Sequence, residues 1–239
     1  MSNITISEGQ GVRFLHFGSP WVQGAMRIAR PFALELEYTR DMMVPLLFHG
    51  PEWPRNVLQI GLGSASVTKF LHRNRPDARI TVVEILPEVV ATAKMYFKLP
   101  EESQHLRIII GDGYQFVMEA KTRFDLILLD GFDEKGRPGM LDTEVFYMNC
   151  RERLARAGML SVNLLTRRSG TGPSVARMRE AFGDHVRMIA PSDAGNTVVL
   201  ASVSAIDTPA QELRPAASQL KAASGLNLLP VLSRMEAAR

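Results

Sequence analysis

The sequence has few of the features that mark secreted, membrane-spanning or metal-binding proteins. Cys150 is its one cysteine, which excludes an internal disulfide and a cysteine-rich metal cluster. Its five histidines are scattered without the short spacings of a metal site, and we predict no metal. No run of about eighteen apolar residues is present, and the chain does not begin with a basic and apolar leader. These absences predict a cytoplasmic protein with no membrane partner.

An excess of either charge is also missing. Lysine and arginine total 28 and aspartate and glutamate 25, which gives a net charge of +3. Arg167 and Arg168 form an isolated basic pair, whereas a nucleic-acid-binding surface needs a denser cluster, so we predict no nucleic-acid partner. The 239 residues, 46% of them hydrophobic, suit one α/β domain with a small appendage.

Residues 1–54 predict a small N-terminal unit. Short alternating runs at 12–18 and 25–29 flank a Gly-Ser-Pro turn, a pattern typical of an antiparallel β-hairpin. Apolar residues near helical spacing then predict a helix from about 33 to 48. The following segment, HGPEWP, is a clear helix breaker.

From Arg55 the chain alternates between apolar strands and helices, which is typical of a parallel sheet covered on both faces. The strands are predicted at 56–60, 79–85, 106–110, 124–130 and 158–165. The helices are predicted at 67–74, 87–97, 114–120, about 142–156 and 173–182.

The last two strands close the sheet differently. They lie at 185–190 and 196–203 and are joined by PSDAG, which is too short for a parallel crossover. We therefore predict an α/β domain over 55–204, a doubly wound, mostly parallel seven-stranded sheet that ends in an antiparallel hairpin. The tail at 205–239 is rich in alanine and proline, with one helix at about 209–223. We expect its apolar segment LNLLPVL, at 226–232, to be exposed, and either to dock on the domain or to form part of an interface.

Three strand ends in this sheet carry residues suited to a nucleotide-like ligand. The first ends in IGLGSAS, which places Gly61 and Gly63 in a tight turn that a ligand can approach closely. Glu84 ends the second strand, 84 minus 63 or 21 positions later, the spacing of an acid that accepts ribose hydroxyls. Asp112 follows the third strand and can accept the amine of an adenine. Because such strand ends meet at one crevice, we predict an adenosyl ligand there.

The glycine turn separates two kinds of ligand. A dinucleotide pyrophosphate favours a three-glycine turn, whereas Ser64, Ala65 and Ser66 follow the second glycine here. The closing antiparallel hairpin is also typical of the SAM-methyltransferase-like Rossmann sheet. The pattern therefore favours S-adenosylmethionine (SAM) or a derivative over NAD.

Four ordered segments, IGLGSAS, VVEILPEV, IIIGDGYQF and FDLILLDGFDEKGRPGML, resemble the spermidine synthase family of polyamine aminopropyltransferases. The resemblance covers roughly residues 8–203. It implies a small N-terminal β domain before a SAM-transferase-type Rossmann domain. It also implies decarboxylated SAM as co-substrate, transfer of its aminopropyl group to putrescine or a related amine, and a homodimer.

The resemblance assigns donor-binding roles to individual residues. Glu84 matches the family's ribose-binding glutamate. Ile85, the next residue of that motif, is counted with the donor contacts, as are Ser64 of the glycine turn and Asp130 at the end of the fourth strand. Asp112 with Gly113 matches the pair that holds the adenine. Two further residues are similar to hairpin glutamines near the donor, Gln10 and Gln23.

The resemblance also assigns the catalytic roles. Asp130 matches the catalytic aspartate of the family's D-x-x-D-P motif, Asp133 its second aspartate, and Tyr38 the tyrosine of a Y-H-E-M segment. Since transfer to an amine requires the neutral amine, we expect Asp130 to be the general base, with Asp133 and Tyr38 steering the acceptor. The structural alternatives are a loop-ordering role for Asp130, turn formation for Asp133 and core packing for Tyr38.

The sequence departs from the family pattern on the acceptor side. Ser64 stands where the family's glycine turn has an aspartate, Thr39 follows Tyr38 in place of histidine, and Glu134 replaces a proline. The late segment APSDAGNTVV lacks the usual aromatic residue of the diamine channel. Two alternatives therefore stay open: a SAM-dependent methyltransferase, in which neutral Ser64 suits the carboxylate of intact SAM, and a non-catalytic adenosyl-binding homologue.

Overall fold

The computed structural model describes residues 4–18, 21–133, 136–165, 170–190 and 195–237. They form a three-stranded antiparallel sheet and a seven-stranded mixed sheet with helices on both faces. Within these ranges, no helix is both long enough and apolar enough to cross a membrane.

The small sheet contains β1 (Ile4–Gly9), β2 (Val12–Phe17) and β3 (Gly24–Arg27), in that order. The antiparallel pairing of β2 with β3 confirms the predicted hairpin. Ser19 and Pro20 of its turn lie outside the described residues. β1 is an additional strand, whose two isoleucines give too weak an alternation to predict it from the sequence.

The prediction of one helix from about 33 to 48 is wrong. α1 covers only Glu37–Asp41, and a separate 3-10 turn covers Val44–Leu47. Pro45 explains the break, because it has no N–H to donate to the carbonyl of Asp41 and its ring would clash with that carbonyl in a continuous helix. Tyr38 therefore lies on a helix of only five residues.

The large sheet confirms the predicted topology. Its strand order is β6-β5-β4-β7-β8-β10-β9, with β10 antiparallel to both of its neighbours and the other pairs parallel. Residues 191–194 of the predicted PSDAG turn lie outside the described residues. The strands are β4 (Asn56–Ile60), β5 (Arg79–Glu84), β6 (Leu106–Ile110), β7 (Phe124–Leu129), β8 (Leu154–Leu165), β9 (Val186–Met188) and β10 (Asn196–Ser202).

Helices cover both faces of this sheet, as predicted. Apolar side chains of α2, α3, α7 and α8 share one buried cluster, and those of α4, α5 and α6 share the other. Alternate residues of β4 explain the division, since Val57 belongs to the first cluster and Leu58 to the second. The helices are α2 (Ser66–Asn74), α3 (Pro87–Tyr96), α4 (Gly113–Glu119), α5 (Glu144–Arg153), α6 (Gly172–Phe182), α7 (Ala210–Ser224) and α8 (Leu229–Ala237).

The C-terminal tail packs on the domain. α7 matches the helix predicted at about 209–223, and α8 follows it. The expectation that the segment at 226–232 is exposed is wrong, because Leu226, Leu228, Val231 and Leu232 are buried in the first cluster. Of its two predicted uses, the structure shows docking on the domain. The division of the chain at 54 and 204 stays a prediction.

Candidate active site

A cleft of about 910 Å³ opens at the carboxyl ends of the parallel strands. Gly61, Glu84, Gly111 and Asp130 line it from the ends of β4, β5, β6 and β7. α1 and the segment before β3 line it as well. This is the position where open α/β sheets bind ligands.

The glycine turn after β4 passes close to the end of β7. Gly61 has a φ of +88°, and a Cβ at this position would collide with the carbonyl oxygen of Asp130. Glu84 fixes the same turn from β5, since its Oε2 accepts a hydrogen bond from the Leu62 N–H at 2.8 Å and its Oε1 one from the Leu86 N–H at 3.0 Å. Glu84 therefore orders the turn as well as lining the cleft, a second role that the spacing alone does not indicate.

Ser64 does not line the cleft. It is buried, its Oγ lies 2.9 Å from the Oγ of Ser66, and Ser66 donates to the carbonyl of Ala25 at 3.0 Å. A Cβ added at Gly24 of β3 would meet the Ser64 side chain at 2.5 Å. Ser64 thus packs against the small sheet while Ser66 is hydrogen-bonded to it, and the structure does not bring Ser64 to the ligand position predicted for it.

The predicted adenine-binding pair and Ile85 line the cleft from the segments that follow β6 and β5. Asp112, Gly113 and Ile85 all line it, and the Ile85 side chain is 60% exposed. Oδ1 of Asp112 caps α4 by accepting from the N–H groups of Tyr114 at 2.7 Å and Gln115 at 3.3 Å. Since both bonds use the same oxygen, Oδ2 is left to accept from a ligand.

Asp130 is held by two side chains from different elements. Tyr38 donates its O–H to Oδ2 at 3.1 Å, and Asn163 donates Nδ2–H to Oδ1 at 2.8 Å. Asn196 in turn donates to Oδ1 of Asn163 at 2.9 Å. The Asp130 carboxylate thus accepts hydrogen bonds from side chains of other elements, which argues against the alternative that it only orders its own loop.

Burial sets the protonation properties of this pair. It raises the pKa of Asp130, while the hydrogen bonds from Asn163 and Tyr38 act in the opposite direction. Burial also raises the pKa of Tyr38 well above its ordinary value, and the negative charge of Asp130 adds to the effect. Tyr38 is therefore a neutral donor, and Asp130 is a carboxylate with increased affinity for a proton.

The two asparagines are functional candidates that the sequence analysis missed. Asn163 lies in β8 next to β7, and Asn196 begins β10, which pairs with β8. The available signal for Asn163 is an amide side chain inside the apolar run GMLSVNLL, which needs a hydrogen-bond partner when buried. The identity of that partner depends on strand order, which this signal does not contain.

Asp133 lines the cleft but is paired with an arginine. Its Oδ2 accepts from Nε and Nη2 of Arg137, both at 2.7 Å, and its Oδ1 accepts from the Arg137 backbone N–H at 2.8 Å. Arg137 also lines the cleft. The guanidinium occupies the carboxylate that the sequence assigns to the substrate amine. Glu134 of the same loop lies outside the described residues.

The two predicted glutamines separate. Gln23 lines the cleft, and its N–H donates to the carbonyl of Leu15 at 2.8 Å. Gln10 lies in the turn between β1 and β2 with a φ of +51°, is exposed and does not line the cleft. The structure therefore brings Gln23, but not Gln10, to the other candidates.

Neither metal nor thiol chemistry has a built site in the described part of the chain. No group of three His, Cys, Asp or Glu side chains there is placed to hold a metal ion. Cys150 is buried in α5, and burial raises the pKa of its thiol. It is a packed core residue.

Comparison with known proteins shows the family. The spermine/spermidine synthase domain matches residues 35–163, which is more than half of the chain. The polyamine aminopropyltransferase of Chromobacterium violaceum is 33% identical over 237 residues, which cover 99% of this chain and 90% of that protein.

Solved structures share the fold with lower identity. A probable spermidine synthase from Corynebacterium glutamicum superposes with a TM-score of 0.73 at 22% identity, covering 91% of this chain and 83% of that one. Human methyltransferase-like protein 13, in complex with SAH, gives a TM-score of 0.66 at 20% identity, with 85% and 92% covered. Because both kinds of transferase share the fold, the fold alone does not choose between them.

Proposed function

This chain belongs to the spermine/spermidine synthase family and is an enzyme of the spermidine synthase type, and from this premise we propose that it moves an aminopropyl group from decarboxylated SAM to an amine of the polyamine class. The carboxylate of Asp130 is the observation that carries the proposal. It lines the cleft at the end of β7, held by Tyr38 and Asn163, with a pKa raised by burial. Such a group suits the removal of a proton from an ammonium.

The donor would occupy the half of the cleft formed by β4, β5 and β6. Glu84 would accept the ribose hydroxyls and Asp112 the adenine amine, while Ile85 would contact the flat face of the base. Gly61 and Gly63 both line the cleft, and because Gly61 packs against the Asp130 carbonyl, a sulfonium bound at this turn would lie close to the end of β7. These assignments place the reactive end of the donor toward Asp130.

Asp130 performs the proton transfer in the proposed reaction. The acceptor arrives as an ammonium and gives one proton to the carboxylate, which frees the nitrogen lone pair. That pair attacks the methylene carbon next to the sulfonium, and the C–S bond breaks with its electrons remaining on sulfur. The products are a secondary ammonium and a neutral thioether. Tyr38 and Asn163 fix the carboxylate so that it faces the attacking nitrogen.

Arg137 sets a condition on acceptor binding. An ammonium that binds Asp133 must first displace the guanidinium from its carboxylate. This pair is partly exposed, with 61% of the Arg137 side chain and 40% of the Asp133 side chain accessible, and such pairs contribute only about 0–1 kcal/mol. The displacement therefore costs little, and we propose Asp133 as the second contact of the amine.

A SAM-dependent methyltransferase is the second candidate, on one observation. The family's glycine turn usually has an aspartate where this chain has Ser64, and that serine is buried away from the cleft. No carboxylate from this position repels the carboxylate of intact SAM.

Calorimetry on the purified protein separates these candidates. We expect decarboxylated SAM to bind at least tenfold more tightly than SAM, a difference of about 1.4 kcal/mol. Tighter binding of SAM would support the methyltransferase, and binding of neither would contradict every adenosyl-based function. Family membership also supports a homodimer, which light scattering on the same sample tests.

A further inference from the structure

Arg234 of α8 joins three separate parts of the chain. Its Nη2 lies 2.6 Å from Oδ1 of Asp41 and 3.3 Å from Oε1 of Glu37. Its Nη1 donates to the carbonyl of Ala190 at 2.9 Å. Arg234 and Asp41 are 193 positions apart in the sequence, so two distant segments of the chain are in contact here. Arg234 is not among the residues that line the cleft.

The first two contacts fix α1. Glu37 is the first residue of this helix, Asp41 is the last, and Tyr38 lies between them. A helix of five residues has no stability of its own in water, so its position depends on outside contacts. Asp41 is 4% exposed, and a buried carboxylate that loses its cation is strongly unfavourable. Arg234 therefore holds both ends of the helix that carries Tyr38.

The third contact leads to the other side of Asp130. Ala190 follows Ile189, whose N–H donates to the carbonyl of Val198 in β10 at 2.9 Å. Asn196 is the first residue of the same strand. Asn196 donates to Asn163, and Asn163 donates to Asp130. One guanidinium thus contacts α1, which carries Tyr38, and the residue next to Ile189, through which it is linked to β10 and Asn196.

We propose that Arg234 is a positioning residue for the transfer reaction, which holds the helix of Tyr38 and supports β10 through Ala190 so that Asp130 keeps its orientation in the cleft. The proposal rests on the proposed function. It gives the C-terminal tail a role in activity besides core packing. Arg234 acts on the reaction through other residues and touches no substrate.

Three single variants test it. Arg234→Ala should lower kcat about tenfold or more, the effect of losing about 1.4 kcal/mol of transition-state stabilisation, with donor affinity unchanged. Arg234→Lys keeps the charge and should recover most of kcat. Arg214→Ala, at an exposed arginine of α7, is the matched control and should behave as wild type.

A double variant tests the route through Tyr38. If Arg234 acts by holding this side chain, Arg234→Ala should lower kcat much less in a Tyr38→Phe background than in the wild type. Full additivity of the two losses would contradict the proposal. So would a kcat unchanged in Arg234→Ala, or equal loss of kcat and donor affinity without rescue by lysine.

Amide hydrogen exchange supplies a readout that needs no turnover. Exchange across residues 37–43 should be faster in Arg234→Ala than in wild type or Arg214→Ala, because α1 opens locally. Unchanged exchange would overturn the positioning role. If the wild type transfers no aminopropyl group while the exchange of α1 responds as expected, the proposed function fails but the structural coupling stands.

Discussion

At the scale of the residue, opposing effects within a few ångströms set the charge state of Asp130. Burial favours the protonated acid, while the donors Tyr38 and Asn163 favour the carboxylate. A base for an ammonium must be ionised before the reaction and able to hold a proton during it. This balance at Asp130 meets both conditions.

Asp130→Asn separates activity from stability. The amide cannot accept the proton, so we expect kcat to fall at least about a hundredfold. Burial raises the pKa of Asp130 in the folded protein above its value in the unfolded chain, so the free energy of unfolding of the wild type falls as pH rises from the unfolded to the folded pKa. Asparagine does not ionise and loses no stability in this way. The Tm of the variant at pH 7 should therefore equal or exceed that of the wild type. Turnover within tenfold of wild type would remove Asp130 from the role of base.

Asn163→Leu should shift the pH profile of kcat/KM toward higher pH. It removes a hydrogen bond that favours the carboxylate, so the pKa of Asp130 rises further, and the acid limb of kcat/KM should move to higher pH. Ser161→Ala is the matched control, since Ser161 is buried two positions earlier in β8 and its Oγ has no hydrogen-bond partner among the described residues. Identical acid limbs in wild type and Asn163→Leu would contradict this account.

At the scale of the element, the cleft depends on how closely the ends of β4 and β7 approach. Gly61 permits this approach because it lacks a Cβ and adopts a positive φ. Glu84 then fixes the following turn through the Leu62 N–H. The donor site is therefore a property of three strand ends together.

Gly61→Ala should damage both fold and binding. The new methyl group would meet the Asp130 carbonyl, and we expect a loss of about 1–3 kcal/mol in the free energy of unfolding and loss of donor binding. Gly225→Ala is the control, because Gly225 also has a positive φ but open space around its Cβ position. Denaturant unfolding compares the two, and a Gly61→Ala no less stable than Gly225→Ala would contradict the collision.

At the scale of the whole molecule, the C-terminal tail belongs to the same core as the sheet. Leu228 is fully buried in the cluster that α2 and α3 share with the tail. The chain should therefore unfold as one cooperative unit, with no separate transition for the tail.

Leu228→Ala tests this cooperativity. Truncation of a buried leucine side chain in a shared core should lower the free energy of unfolding by about 2–5 kcal/mol and the main Tm by on the order of 10 °C. Leu229→Ala, at a half-buried neighbour, should cost less. If calorimetry shows the main transition unchanged and a new early one, the tail is an independent unit.

The sequence predicts the parts of this molecule that depend on local pattern. The apolar strands from β4 to β10 and the position of Asp130 at a strand end follow from periodicity and order. The break at Pro45 and the burial of the segment at 226–232 depend on packing between distant segments. The pairing of Asn163 with Asp130 and of Arg137 with Asp133 depends on tertiary geometry, so the residue types alone did not reveal either partner.

Aminopropyl transfer by this protein is measured through the mass of the acceptor amine. The protein is incubated with decarboxylated SAM and putrescine, with Asp130→Asn in parallel, and the molecular masses of the amine products are determined by mass spectrometry. We expect the wild type to produce an amine that has gained one aminopropyl group, and the variant to produce it at no more than about one hundredth of that rate. An acceptor unchanged by decarboxylated SAM but methylated by SAM would contradict aminopropyl transfer.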